Sequence, residues 1–178
     1  MNTIECINTR RSIRRFTEEP VSNDTMTKII EAAAMAPSWK NTQITRYIVV
    51  EDKEIKEKIA AEATNDFNAA TIRSAAAVVA ITVVKKRCGY ERDGSFTTVK
   101  EDSWQMFDAG VASQTFCLAA HEYGIGSVIM GIFDYDKVAA MIDMPEDQEM
   151  VALIPIGHPA EVPQPPKRKT VEDLLKYK

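Results

Sequence analysis

The chain has 178 residues, 45% of them hydrophobic, which suffices for one sizeable core and a single domain over 1–178. A formal charge of −4 denies it the broad basic face that nucleic-acid binding uses, and no apolar run approaches the roughly 18 residues of a membrane helix. Three cysteines, Cys6, Cys88 and Cys117, odd in number and without a Cys-x-x-Cys, suit reduced thiols in a cytoplasm rather than a disulfide framework or a zinc site.

The predicted elements begin with a short helix at 4–8, followed by a loop carrying Arg10-Arg11-Ser12-Ile13-Arg14-Arg15 and closed by Pro20. Ser22 or Asn23 caps a second helix, with Asp24 in its first turn and Met26, Ile29, Ile30, Ala33 and Ala34 at helical spacing, ending before Pro37. The polar, irregular segment Pro37-Ser38-Trp39-Lys40-Asn41-Thr42-Gln43 then feeds Tyr47-Ile48-Val49-Val50, a β-branched strand. A charged helix follows at 53–63, and 76–84 is continuously apolar, as a strand covered on both faces is. Residues 85–101 form a long surface excursion.

From 103 to 123 a helix is apolar nearly all round, with Trp104, Phe107, Val111 and Leu118 on one side and Ala109, Ala112, Phe116, Ala119 and Ala120 on another. Gly110 and Ser113 add small residues for close approach, so this is either a central core helix or one packed on a second subunit. Gly124 ends it as a C′ glycine. Two more apolar strands fall at 126–133 and 150–156, separated by a helix at 135–142 that Asp134 caps. The tail at 159–178 contains Pro163, Pro165 and Pro166 and runs extended until Thr170 caps a last short helix.

Several chemistries are removed by spacing. There is no G-x-x-x-x-G-K-[ST], and Gly124, Gly126 and Gly131 follow a helix and precede a strand, the reverse of a dinucleotide turn. Cys117 and His121 share a helical face, but further metal ligands at fitting spacing are missing, and buried cysteine is the ordinary explanation. No Gly-x-Ser-x-Gly elbow appears. What survives is a set of donors without a nucleophile: the arginine-serine loop, the loop from Ser38 to Gln43, Asn68, and Arg168 within Lys167-Arg168-Lys169. Arginine forks beside a hydroxyl suit phosphate, although either basic cluster alone fits a solvated surface run equally well. The set as a whole suits a cofactor that carries its own chemistry, such as a flavin with its phosphate on the arginines.

In their order along the chain these residues resemble the FMN-dependent nitroreductase family. Arg10-Arg11-Ser12-Ile13-Arg14-Arg15-Phe16 is similar to the family's Arg-Arg-Ser-x-Arg-x-Phe, and Ala36-Pro37-Ser38-Trp39-Lys40-Asn41-Thr42-Gln43 to its Ala-Pro-Ser-x-x-Asn-x-Gln. Asp108-Ala109-Gly110, Gly124-Ile125-Gly126 leading to Met130-Gly131, and Gly157-His158-Pro159 leading to Arg168-Lys169 extend the match over nearly the whole chain. The resemblance implies an α+β fold, a three-layer α/β/α sandwich with a mixed, mainly antiparallel sheet, in a homodimer with FMN at the interface. It implies that Arg10, Ser12, Arg14 and Arg168, with Arg11 a further member, hold the phosphate and ribityl chain. By the same resemblance Pro37, Ser38, Trp39 and Asn41 approach from the partner subunit, Asn68 hydrogen-bonds the ring, and Ile129, Met130 and Gly131 line its other face with a backbone amide near N5.

The activity so implied is ping-pong NAD(P)H oxidoreduction of nitroaromatics, quinones or a related small acceptor, with no catalytic side chain and no metal. A dehalogenase or dehydrogenase on the same fold, a flavin sensor or storage protein without turnover, and a non-flavin anion-binding module are the alternatives. Gln43 is followed by Ile44-Thr45 where many members have Pro-Trp, so the substrate wall differs, with Trp39 a candidate for the missing aromatic surface. Tyr90, Arg92 and Phe96 in the 85–101 excursion either cover the substrate or decorate the surface.

Overall fold

The computed structural model describes residues 1–178 as seven α-helices and a four-stranded sheet. The strands are β1 (Thr45–Val50), β2 (Ala77–Val84), β3 (Gly126–Ser127) and β4 (Gln148–Gly157), in the order β1-β2-β4-β3, all pairing antiparallel. The one parallel pairing is an isolated bridge from Ser12 to Ser127, which adds the arginine segment to the β3 edge.

Helices cover both faces of the sheet, which is why β2 is apolar throughout rather than alternating. On one face α3 (Lys53–Ala63), α4 (Asp66–Ser74) and α6 (Tyr135–Met141) bring Ile59, Ile72 and Val138 against Val78, Ala80 and Leu153. On the other, α2 (Asn23–Ala33) and α5 (Ser103–Glu122) bring Ile29, Ala33 and Phe116 against Val79, Ile81, Ile154 and Ile156. The result is a three-layer α/β/α sandwich of the α+β class. Helix starts are set locally, with side chains of Ser22, Asp52, Asn65 and Asp134 accepting first-turn backbone N–H groups, each contributing about 1 kcal/mol. The short α1 (Thr3–Thr9) is capped by Asn2, and α7 (Val171–Leu174) by a Thr170–Asp173 capping box.

Three expectations are revised. Residues 64–75, left without an element above, contain α4, whose start is written in Asn65 and Asp66 and whose inward positions are Ala69 and Ile72. The strand expected over 126–133 is regular only at Gly126–Ser127, because its next partner on β4 is Pro155, which has no N–H to return a bond. Val128 N reaches Pro155 O at 3.3 Å, and pairing resumes at Met130 with Leu153. On α5, expected as either a core helix or one packed on a second subunit, Ser113 is buried while Gly110, Met106 and Phe107 face outward, Phe107 with 60% of its surface exposed, so one side enters the core and the other does not. No helix is long and apolar enough to cross a membrane.

Candidate cofactor site

The arginine segment is held to the sheet by its backbone and its apolar residues, which leaves its polar side chains outward. Ile13 N donates to Ser127 O at 3.0 Å, Thr17 N to His158 O at 2.9 Å, and Ala160 N to Arg15 O at 3.0 Å. Ile13 and Phe16 are buried together with Ala75. They come this close because Gly126 and Gly157 lie beneath them: a Cβ on Gly126 would sit 2.9 Å from Ile13 Cβ, and one on Gly157 would sit 3.0 Å from Phe16 Cβ. Arg10, Arg11 and Ser12 are half-buried and Arg14 is exposed, and none of these arginines is in an ion pair. The Arg11 guanidinium donates to Asn8 O at 2.7 Å, and Arg14 N to Glu161 Oε1 at 2.9 Å. Arg10 and Arg11 also line a cleft of about 320 Å³ with His121, Ser127 and Glu161. Uncompensated guanidinium groups beside a serine are a donor set that an anion completes.

Next to them lies a flat, partly apolar bed. The Arg14 guanidinium stands 5.9 Å from the centroid of the exposed Phe67 ring. Asn68 follows in the first turn of α4, buried, its Nδ2 donating to Ile132 O at 3.0 Å while its Oδ1 accepts nothing. Ile129, Gly131 and Ile132 are open to solvent here. Met130 is turned the other way, as alternation along an extended chain demands: its side chain is in the core, and its N–H and C=O are both bonded to Leu153. Of the expected trio only Ile129 and Gly131 can therefore face a ligand, and the amide near N5 cannot be that of Met130. Phe67 was not among the sequence candidates; its signal is an aromatic on the solvent side of a helix start, beside Asn68.

The second expected group, Pro37, Ser38, Trp39 and Asn41, sits elsewhere. A single 3₁₀ turn (Trp39–Asn41) is pinned by Trp39 N donating to both Asp108 carboxylate oxygens, at 2.9 and 3.1 Å, and by Gln43 N donating to Ser38 Oγ at 3.0 Å. Lys40, Asn41 and Gln43 all have positive φ, at 43°, 55° and 48°. The loop leads into β1 at Thr45, whose neighbour on β2 is Val83, itself opposite Glu149; the arginine segment bridges Ser127, opposite Ile156. The two loops thus attach at diagonally opposite corners of the sheet, on the order of 25 Å apart at 3.3 Å per residue and 4.8 Å per strand. Arg168 lies in the exposed tail and makes no hydrogen bond or ion pair, while the start of that tail, at Pro159, Glu161 and Pro163, lines the cleft of Arg10.

Other chemical groups are accounted for locally. His121 Nε2 lies 2.8 Å from Thr9 Oγ1, and burial, with Arg10 nearby, lowers its pKa. Burial pushes the Cys117 thiol up, so the pair offers no activated thiolate. A cleft of about 890 Å³ holds Lys56 and Arg73, but Lys56 is spent on Ala75 O and Ala76 O and Arg73 on Glu57. Its one remaining cation, Lys53, stands alone where the arginine segment groups several.

The sequence profile described as the Nitroreductase family matches residues 7–158, and the chain belongs to that family. It is 28% identical over 192 residues to an NADH dehydrogenase of Thermus thermophilus, covering 95% of this chain and 92% of that one. It is 30% identical over 175 residues to an FMN reductase [NAD(P)H] of Bacillus subtilis, covering 89% of this chain and 66% of that one. A protein of Desulfovibrio desulfuricans solved in complex with FMN superposes with a TM-score of 0.77 at 29% identity, covering 100% of this chain and 98% of that chain.

Proposed function

We propose that this protein is a homodimeric, FMN-dependent NAD(P)H oxidoreductase that reduces nitroaromatics, quinones or a related small acceptor, donor and acceptor using one site in turn. The observation that carries the reading is the diagonal separation of two donor loops, neither of which encloses a site alone. A two-fold axis that sets the Ser38–Gln43 loop of one protomer against the arginine segment of another gives two equivalent sites. Exposed Met106, Phe107 and Gly110 on α5, with Ile4 and Ile7 on α1, supply the apolar surface such a dimer buries.

The residues present fit FMN. Arg10 and Ser12 offer the phosphate unpaired donors, Arg14 keeps further donors free beyond its bond to Ser12 O at 3.4 Å, Phe67, Ile129 and Gly131 offer an apolar bed, and Asn68 Oδ1 is an unused acceptor for a ring N–H. When bound, FMN supplies the electron transfer that no side chain here offers. The protein binds, orients and excludes water, and positive charge from Arg14 favours the anionic form of the ring. Arg168, exposed and unpaired in the tail, is a further cation for the phosphate.

Freshly purified protein is expected to be yellow, to bleach anaerobically with NADH or NADPH, and to recover colour on adding a quinone or nitrofurazone. Colourless protein that FMN does not reconstitute refutes the proposal. Bound FMN that neither nicotinamide reduces shifts the assignment to a flavin-binding protein without turnover.

A further inference from the structure

Asp108 is 3% exposed in the second turn of α5, with no lysine, arginine or histidine within ion-pairing distance. A lone buried carboxylate is expensive unless hydrogen bonds fully satisfy it. Its two partners here come from different segments. Trp39 N–H is bifurcated across Oδ1 and Oδ2 at 3.1 and 2.9 Å, and the fully buried Cys88 Sγ donates to Oδ2 at 3.2 Å. Trp39 opens the loop with three left-handed non-glycine residues, a conformation that costs about 1–2 kcal/mol per residue and persists only when its surroundings hold it. Cys88 lies at the root of the 85–101 excursion, which the neighbouring turn of α5 also grips through Lys86 N donating to Gln105 Oε1 at 3.1 Å. At the surface the same two segments are joined again by Lys40 Nζ and Glu91 Oε1 at 2.8 Å.

We propose that Asp108 is a positioning residue: its buried carboxylate holds the Ser38–Gln43 loop in its cofactor-facing shape and locks the 85–101 excursion to that loop through the Cys88 thiol. The carboxylate does not touch a cofactor. Its effect passes through the Trp39 amide, and the Cys88 thiol, which also stands beside the Thr42 side chain and packs with Ile44, carries a change in the excursion into the loop. Excursion and loop then open as one unit, and the excursion cannot lift without loosening Trp39 and Asn41. The consequence for flavin rests on the function proposed above; the coupling of the two segments does not.

The test is amide hydrogen exchange of the flavin-free protein, read on peptides covering 37–44 and 86–98, alongside FMN titration. Asp108→Leu keeps the side-chain branching but removes the charge and both acceptor oxygens, leaving Trp39 N–H and the Cys88 thiol without this partner. Exchange in both peptides is expected to rise about 10- to 100-fold, the equivalent of a hydrogen bond to a charged acceptor, and FMN affinity to fall at least about tenfold. Cys88→Ala is expected to speed exchange in 37–44, while Cys88→Ser, which retains a donor for Asp108, stays close to wild type. Should Asp108→Leu fail to fold, Cys88→Ala and Cys88→Ser compared in a Thr42→Val background decide, since the direct contact between Cys88 and the loop hydroxyl is then absent. Unchanged exchange in 37–44 for Cys88→Ala overturns the proposal. Coupled exchange in a protein that never binds FMN upholds the coupling and removes the flavin reading only.

Discussion

Gly126→Ala is the most direct probe of how the arginine segment is seated. An alanine Cβ at this position meets Ile13 Cβ and Cγ1 at 2.9 Å and Cγ2 at 3.0 Å, against an ordinary carbon contact of about 3.5–4.0 Å. Rotation about χ1 would move the γ carbons, but Cβ is fixed to the backbone, so one chain must retreat by on the order of 0.5–1 Å. Residue 126 is tied into the sheet through Gly157, so the arginine segment is the side that yields, and the bond from Ile13 N to Ser127 O lengthens. Overpacking of this kind costs about 1–3 kcal/mol, which in a chain of this size lowers Tm by about 2–12 °C. The same displacement moves Ser12 and Arg14 away from their common target, and FMN affinity is expected to fall about tenfold, measured by fluorescence titration. Gly131→Ala is the steric control, since its Cβ meets only Tyr135 Oη at 3.8 Å, and its Tm should match wild type. An unshifted Tm for Gly126→Ala refutes the packing argument; a lowered Tm with full FMN affinity removes the segment as the cofactor's anchor.

Gly110→Ala separates the isolated chain from the dimer: nothing lies within 4 Å of its Cβ, so helix propensity favours alanine by about 1 kcal/mol in one protomer. If a second copy packs there, sedimentation will instead show a dimer dissociation constant raised at least about tenfold, and an unchanged constant takes this face out of the interface. Tyr47→Phe keeps the stacking on Phe116 at 5.7 Å and removes a buried hydroxyl that has no hydrogen-bond partner. Urea denaturation should show a gain of about 1 kcal/mol, and a loss would mean the hydroxyl is satisfied. Alkali should destabilise the fold. Burial, with Asp108 adding to it, pushes the Cys88 thiol from 9.0 up to about 12, and burial pushes the Tyr47 phenol from 10.0 up to about 12. Below pH 9 both states hold these protons; above it only the unfolded chain releases them, so stability falls as pH rises from about 9 toward 12. Lys56, lowered by burial, works in the opposite sense as pH approaches 10.5. Denaturation midpoints from pH 8 to 10.5 should therefore decline, less steeply in Cys88→Ala, and a rising midpoint would contradict the assignment.

What the amino-acid order determined is whatever a few neighbouring residues settle among themselves. Ser22, Asp134 and Thr170 start helices because a side-chain oxygen reaches an amide three residues on. The unbroken apolar run of β2 requires cover on both faces, and both faces are covered. The arginine-serine motif and the Pro37–Gln43 loop were legible as donors because their chemistry is in their side chains. Tertiary structure decided where those donors stand. It set the two loops at opposite corners of the sheet, turned Met130 inward beside Ile129 and Gly131, and let Pro155 interrupt a ladder that apolar composition alone would continue. It also gave Asp108 its partners, Trp39 and Cys88, at sequence separations of 69 and 20 residues. A buried carboxylate reads the same as an exposed one along the chain, and only packing determines which amide and which thiol it must satisfy.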